Sequence, residues 1–406
     1  MQRIYMDANA TTPVLPEVVE AMRPFWTEGF GNASSIHQQG QHARAAVERS
    51  REAVAELLGC RAAELVFTSG GTESDNLAVF GIFGDALGTM VAPGEHMITS
   101  RIEHHAVLHA AEALAESGVE VTFLPCTPEG VIEPATLANA LRPNTRLVSV
   151  MLANNETGAI QPVKKLADLA HAAGALFHTD AVQGAGKLRL DVKELGCDLL
   201  SISGHKMYAP QGTGVLYVRR GVRLRPMFFG GLHERGRRAG TENVAGIVGL
   251  GKAAEMAQAW LGDEAGDGPM AGGIEELTQL RDRLEQGILA EVEDAGVNGA
   301  GAARVANTSN LYFDHVEAEA LVIALDLKGL AVSGGSACQS GATEPSHVLT
   351  SMGLSEARAR ASLRFSLSRM TTENEVERAI KLVVAAVARL RELSPSYAKK
   401  LLAISS

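Results

Sequence analysis

Between about residue 45 and residue 260 the chain alternates between segments with helical spacing and short apolar runs. ARAAVERSREAVAELLG, TESDNLAVFGIFGDAL, HAVLHAAEALAESG and VKKLADLAHAAG read as helices. ELVFTSGG, HMITSRIEH, VEVTFLP, TRLVSVMLANNETG, GALFHTDAVQG and CDLLSISGHK read as strands. Repeated strand and helix units of this kind predict an α/β fold with a mainly parallel, doubly wound sheet and helices on both faces. Ligands of such sheets bind outside the carboxyl ends of the strands. Here the apolar runs end in residues able to do chemistry: Thr72, His104, Asn155, Asp180, His205 and Lys206.

The alternation stops at 261–273, LGDEAGDGPMAGG, where five glycines, a proline and three acids without a period mark a loop or domain boundary. Beyond it the pattern predicts a second domain. Its elements are a helix at IEELTQLRDRLEQGILAEV, a strand at TSNLYF, a helix at EAEALVIALDLKG, a strand at AVSGG and a terminal helix from about Thr372 to Leu393. DAGVNGAGAARV reads as a loop.

With 406 residues, 46% of them hydrophobic, there is ample material for a core. Lys and Arg number 37 against 47 Asp and Glu, a formal charge of −10, so no extended footprint for nucleic acid or an acidic membrane is expected, although a local pocket for a small anion remains open. The two most apolar stretches, AEALVIALDLKGLAV and AIKLVVAAVARL, are interrupted by Asp326 and Lys328 or too short to span a bilayer. The N-terminus carries no signal-peptide pattern, and a cytoplasmic protein is expected. Cys60, Cys126, Cys197 and Cys338 form neither a disulfide ladder nor a CxxC pair, and the first three read as inert thiols.

Several segments carry chemistry. SGGTESDN, at 69–76, lies between a strand and a helix, where small residues and helix amides can cradle a phosphate; a tight turn capped by Thr72 or Ser74 is the alternative. Lys206, in SISGHKMYAP, ends a strand in a polar turn, and an amine there can form a Schiff base or simply be solvated. Asp180, in HTDAVQG, suits a cationic partner such as the protonated ring nitrogen of pyridoxal phosphate, or else a turn. Cys338 lies among the Gly and Ser residues of AVSGGSACQSGATEPSHV, which reads as a mobile loop able to carry a nucleophilic thiolate. His105 and His109 share a helix face, but no third ligand is suggested and no metal is expected. Arg235, Arg237 and Arg238, in HERGRRAGTEN, receive no catalytic role, and Arg238 is expected to order the loop around Thr241.

HTDAVQ, SISGHKMYAPQGTGVLYVRR, GGTESDN, HERGRRAGTEN, SGGSACQSGATEPSHVL and LRFSLSR together resemble the pyridoxal-phosphate-dependent cysteine desulfurases of the NifS/IscS-like branch, from MDANATTP to the terminal helix. The resemblance implies a fold-type-I transferase, with a large cofactor-binding domain over 15–260 and a smaller α+β domain from 1–14 and 261–406. It implies that Lys206 holds the cofactor, that Asp180 pairs with its ring nitrogen, and that His104 stacks on the ring and acts in catalysis. Gln183 and Asn155 would face the phenolic oxygen. Gly71, Thr72, Ser203 and His205 would hold the phosphate, with Thr241 supplied by a second subunit of a homodimer. Arg364, with Asn155, would bind the substrate carboxylate, a task suited to a guanidinium that donates two parallel hydrogen bonds.

The implied reaction converts L-cysteine to L-alanine, leaving a persulfide on Cys338. The SGGSAC segment resembles the longer-loop branch, which favours delivery to an iron-sulfur scaffold or another acceptor protein; transfer-RNA thiolation and nitrogen fixation are equally compatible destinations. Two other readings stay open. One is a related lyase or aminotransferase acting on selenocysteine or another β-substituted amino acid, with Cys338 incidental. The other is a catalytically silent partner that keeps the fold.

Overall fold

The computed structural model describes residues 3–84, 94–262, 273–334, 344–398 and residue 400. Seven strands build its main sheet: β1 (Leu65–Thr68), β2 (His96–Ser100), β3 (Glu120–Leu124), β4 (Thr145–Ser149), β5 (Leu176–Asp180), β6 (Leu199–Ser203) and β7 (Gly214–Val218). Their spatial order is β1-β7-β6-β5-β4-β2-β3, and all run parallel except β7. The central strands β6 and β7 are buried along their whole length, which explains why they read as continuous apolar runs without alternation: helices cover both faces.

Because β7 runs backwards, its first residue, Gly214, lies at the same edge as the carboxyl ends of β1 and β6, pairing with Thr68 and Ser203. A β-carbon on Gly214 would lie 2.6 Å from the backbone of Gly70, so only glycine allows this approach. The result is a close-set floor at the carboxyl edge, onto which the first turn of the helix Gly71–Phe83 opens.

A second, antiparallel sheet places Ser333–Gly334, Ser362–Ser366, Thr308–Phe313 and Ala295–Val297 side by side. The expected loop at DAGVNGAGAARV therefore contains a strand, since Ala295–Val297 pairs with Leu311–Phe313. Its small residues hid the period that a strand normally shows, and the pairing is with residues well beyond the local window. The expected strand at AVSGG is divided: Leu330–Ala331 pairs in parallel with the N-terminal Ile4–Tyr5, while Ser333–Gly334 joins the antiparallel sheet.

The helix expected from Thr372 spans Glu373–Glu392, and Thr372 caps it, accepting from the amide of Glu375 while Glu375 accepts from the amide of Thr372. Helices Val244–Leu261 and Gly273–Glu291 flank the 261–273 segment, of which residues 263–272 lie outside the described residues. Among the described residues no helix is long and apolar enough to cross a membrane.

Candidate active site

A cleft of about 300 Å³ opens at the carboxyl edge of the main sheet. The loops after β1, β2, β4, β5 and β6 supply most of its wall, and the N-terminal segment and the second sheet close it with Asn9, Ala10 and Arg364. Of the residues singled out from the sequence, Gly71, Thr72, His104, Asn155, Asp180, Gln183, Ser203, His205, Lys206 and Arg364 all line this cleft.

After β1 the helix Gly71–Phe83 starts from Gly70, with no side chain capping its first amides. The expected alternative, capping by Thr72 or Ser74, is not what the chain does: Ser74 Oγ lies 2.7 Å from Thr68 Oγ1 and donates at 3.1 Å to the carbonyl of Gly70. Uncapped amides beside Ser203 and His205 are chemically suited to receive an anion. A β-carbon on Gly71 would meet Val182 at 2.8 Å, so bare backbone is required there.

Asp180 ends β5. One of its oxygens accepts from the amide of Val182 at 2.8 Å, so it is a turn aspartate and a cleft residue at once. Burial raises its carboxyl to about 6, against the lowering effects of the Val182 amide and of Lys206. Asp75 faces the same cleft, and burial together with the charge of Asp180 pushes it well above the ordinary range. The charge of Asp180 makes Asp75 harder to ionise, and a cation bound beside them would favour ionisation. Asp75 was not singled out from its motif, although its position four residues after Gly71, at the spacing of one helical turn, was legible.

Behind this pair Glu103 is fully enclosed and raised to about 8, first by burial and then by Asp180, while bonds from Ser100 and the Met151 amide act to lower it. Unfolded Glu103 ionises near 4.5 and folded Glu103 near 8, so the folded state holds the proton more tightly and stability falls as pH rises between those values. Glu103→Gln removes this dependence. Its thermal midpoint should match the parent near pH 4.5 and exceed it by about 3 °C or more near pH 9; equal midpoints at both would show that the carboxyl is not protonated in the folded chain.

His104 caps the helix His105–Glu116 by accepting the Ala106 amide on Nδ1 at 3.1 Å. Burial, then Lys206 and the neighbouring histidines, lower it to about 4, leaving a neutral ring at the cleft wall. His205 is lowered to about 4 by burial and Lys206. Lys206 ends the single turn Gly204–Lys206 after β6, and its Nζ donates at 2.6 Å to the carbonyls of Asn9 and Ala10. Gly204 makes this turn tight, since a β-carbon there would sit 2.3 Å from Thr213 Oγ1.

Arg364, on Ser362–Ser366, donates to the carbonyl of Asn155 at 3.0 Å and to Asp7 at 2.8 Å, while its Nε is buried without a partner. Asn155 Oδ1 is likewise buried and unpartnered. Both residues line the cleft, and unmet polar atoms in its wall favour a polar guest.

Thr241 is exposed and does not line the cleft. Arg238 pairs with Glu73 at 2.9 Å, which ties the Thr241 loop to the Gly71 helix as expected. Cys338 lies outside the described residues. Burial pushes Cys60 and Cys197 up to about 12 and Cys126 upward as well, so these three thiols stay protonated and inert at neutral pH. A third imidazole, His347, does stand beside His105, with ring centres 4.8 Å apart, but among the described residues no such group is arranged to hold a metal ion. Asn9, Ala10, Met151 and Val182 complete the lining and were not anticipated as site residues, although Asn9, Ala10 and Val182 lie within the quoted segments MDANATTP and HTDAVQ.

A doubly wound α/β sheet with a lysine, an aspartate and an uncapped helix at its carboxyl edge defines a transferase of fold type I. The chain belongs to the aminotransferase class-V family, whose profile matches residues 4–379. It is 51% identical over 397 residues to the cysteine desulfurase IscS of Anaeromyxobacter sp. (strain Fw109-5), covering 97% of this chain and 95% of that one. It is 47% identical over 398 residues to the cysteine desulfurase IscS of Methanosarcina thermophila, covering 98% and 95%. Among solved structures it superposes on a NifS-like protein with a TM-score of 0.86 at 34% identity, covering 95% of this chain and all of the other.

Proposed function

We propose that the protein is a pyridoxal-phosphate-dependent cysteine desulfurase that converts L-cysteine to L-alanine and takes the sulfur onto Cys338. The observation that carries this reading is the convergence, around the single amine of Lys206, of an anion receptor, a buried carboxyl and a guanidinium from segments spread over nearly three hundred residues. The donor set fits the cofactor. Gly71, Thr72, Ser203 and His205 would hold its phosphate, Asp180 its ring nitrogen, and Gln183 and Asn155 its phenolic oxygen, with the flat neutral ring of His104 against it.

When bound, pyridoxal phosphate supplies an electron sink that makes the Cα proton of an attached amino acid acidic. Asp180, ionised once it meets a cation, would keep that sink protonated. Lys206 would move the Cα proton once its amine is deprotonated, and its hydrogen bonds to the carbonyls of Asn9 and Ala10 hold that amine at the cleft. Arg364, with an unmet Nε, and Asn155 would hold the substrate carboxylate and orient Cα toward Lys206.

The thiolate of Cys338 would attack the sulfur of the bound cysteine. The new S–S bond takes the place of the C–S bond, and the β-carbon gains a proton, so that cysteine and enzyme thiol become alanine and enzyme persulfide with no outside oxidant. Cys338 follows Gly334 by four residues, and Gly334 pairs with Leu363, the neighbour of Arg364.

Thr241 would complete the phosphate site of a second copy in a homodimer. Supporting this are its exposure and the exposed apolar side chains of Ile36 and Leu232, at 91% and 88%, on segments joined by Ser34 and His233. The persulfide would pass to an iron-sulfur scaffold or another acceptor protein in the cytoplasm. The test is chemical. Protein loaded with pyridoxal phosphate should be yellow, and borohydride should fix the cofactor to the peptide containing Lys206. L-Cysteine should give alanine in step with a reducible sulfur adduct on Cys338. Trapping on another peptide, or a colourless and inert protein, would refute the reading.

A further inference from the structure

Lys187 is a buried amine, 7% exposed, that does not line the cleft and that the chemistry above leaves unused. It lies one turn beyond Gln183, and its Nζ donates to Gln183 Oε1 at 2.5 Å and to Asn9 Oδ1 at 2.9 Å. Gln183 in turn donates from Nε2 to the Asn9 carbonyl at 3.1 Å, the same carbonyl that accepts Lys206 Nζ. A primary amide has one accepting and one donating end, exchanged by half a turn about its last bond. Both ends are assigned here, because the oxygen faces an amine that donates and the nitrogen faces a carbonyl that can only accept. The second N–H of that nitrogen belongs to a side chain that lines the cleft.

We propose that Lys187 is a positioning residue: it holds the Gln183 oxygen away from the cleft, so that the side chain presents an N–H donor, and not an acceptor, to the group bound beside Lys206. This rests on the reading of the site given above, in which that group is the phenolic oxygen of the cofactor. The arrangement does not need a charge on Lys187. Burial, then the neighbouring cations Lys206, Arg364 and Arg369, press the amine well below its ordinary value, and a neutral amine still has hydrogens for both acceptors. Asn9 stays in place without it, since Asn307 also donates to Asn9 Oδ1 at 3.0 Å and Asn9 Nδ2 donates to Thr308 at 2.8 Å and to the Asn155 carbonyl at 3.1 Å.

The consequence is spectroscopic. A donor to the phenolic oxygen stabilises its negative charge most when the nitrogen joined to Lys206 has lost its proton, so it lowers the pH at which the visible band of the bound cofactor titrates. Among the described residues, the titratable and charged groups that line the cleft with Lys206 and also bear on this midpoint are Asp75, Asp180, His104, His205 and Arg364, with Lys187 beside Gln183. In the full-length holoenzyme, Lys187→Met and Gln183→Met should each raise the midpoint by about one pH unit, the size of one hydrogen bond to a charged acceptor. The double variant should move it no further than either alone, since both changes remove the same donor.

Lys187→Gln, one bond shorter and unable to reach both acceptors, should shift the midpoint the same way and covers the case in which the methionine variant does not fold. A purely structural role would lower thermal stability and leave the midpoint where it was. An unmoved midpoint in the Lys187 variants, or shifts that add in the double variant, would overturn the proposal. A wild-type protein with no visible band would overturn the reading of the site and this proposal with it; a normal wild-type band with unmoved variants would overturn this proposal alone.

Discussion

Lys206→Ala is expected to reduce alanine formation from L-cysteine by at least about a thousandfold, because its amine, the only lysine amine lining the cleft among the described residues, is both covalent anchor and base in the reading proposed above. General-base help alone is worth roughly 10² to 10⁴ in rate, and no other cleft residue is placed to replace it at neutral pH. His104 and His205 are both lowered to about 4, so they are neutral but weak bases, and Asp180 is assigned to the ring nitrogen in the reading proposed above. The fold should survive, since Lys206 contributes two hydrogen bonds to carbonyls at a partly open cleft, and deletion there leaves those carbonyls accessible to water. Alanine assayed by amino-acid analysis, with intact mass after borohydride, checks both halves. Turnover within about tenfold of the parent would exclude Lys206 as the reactive amine.

Cys338→Ala should abolish alanine formation coupled to a sulfur adduct, with a loss of about a hundredfold or more, while the visible band and its response to L-cysteine persist. The asymmetry follows from the division of labour proposed above, in which the cleft residues bind and activate the amino acid and the thiol receives the sulfur. Cys60, Cys126 and Cys197 cannot substitute, because burial holds them protonated. Sulfide or selenide release from cysteine or selenocysteine at full rate in this variant would favour a lyase in which Cys338 is incidental. No band in either protein would favour a silent partner.

Much of this site is legible in the amino-acid order, and for a common reason. Thr72, His104, Asn155, Asp180, His205 and Lys206 stand where apolar runs end, and a parallel sheet gathers those ends along one edge, so topology alone brings them together. Ala295–Val297 was missed because its pairing partner is set by the tertiary structure and its small residues carry no alternation. Asn9 escaped notice for a similar reason. Its importance lies in bonds to Lys187, Gln183, Asn155, Asn307, Thr308 and Lys206, all at least 146 residues away.

What the linear chain determined on its own was the succession of elements, the turn chemistry that ends them and the set of reactive side chains at those ends. These follow from period, glycine placement and capping, which act within a few residues. Only the folded chain decided which carboxyls are harder to ionise, which groups the two ends of the Gln183 amide meet, that Asp75 lines the cleft and that Lys187 lies against Gln183. Those depend on burial and on through-space neighbours, and both quantities come into existence only when distant segments pack.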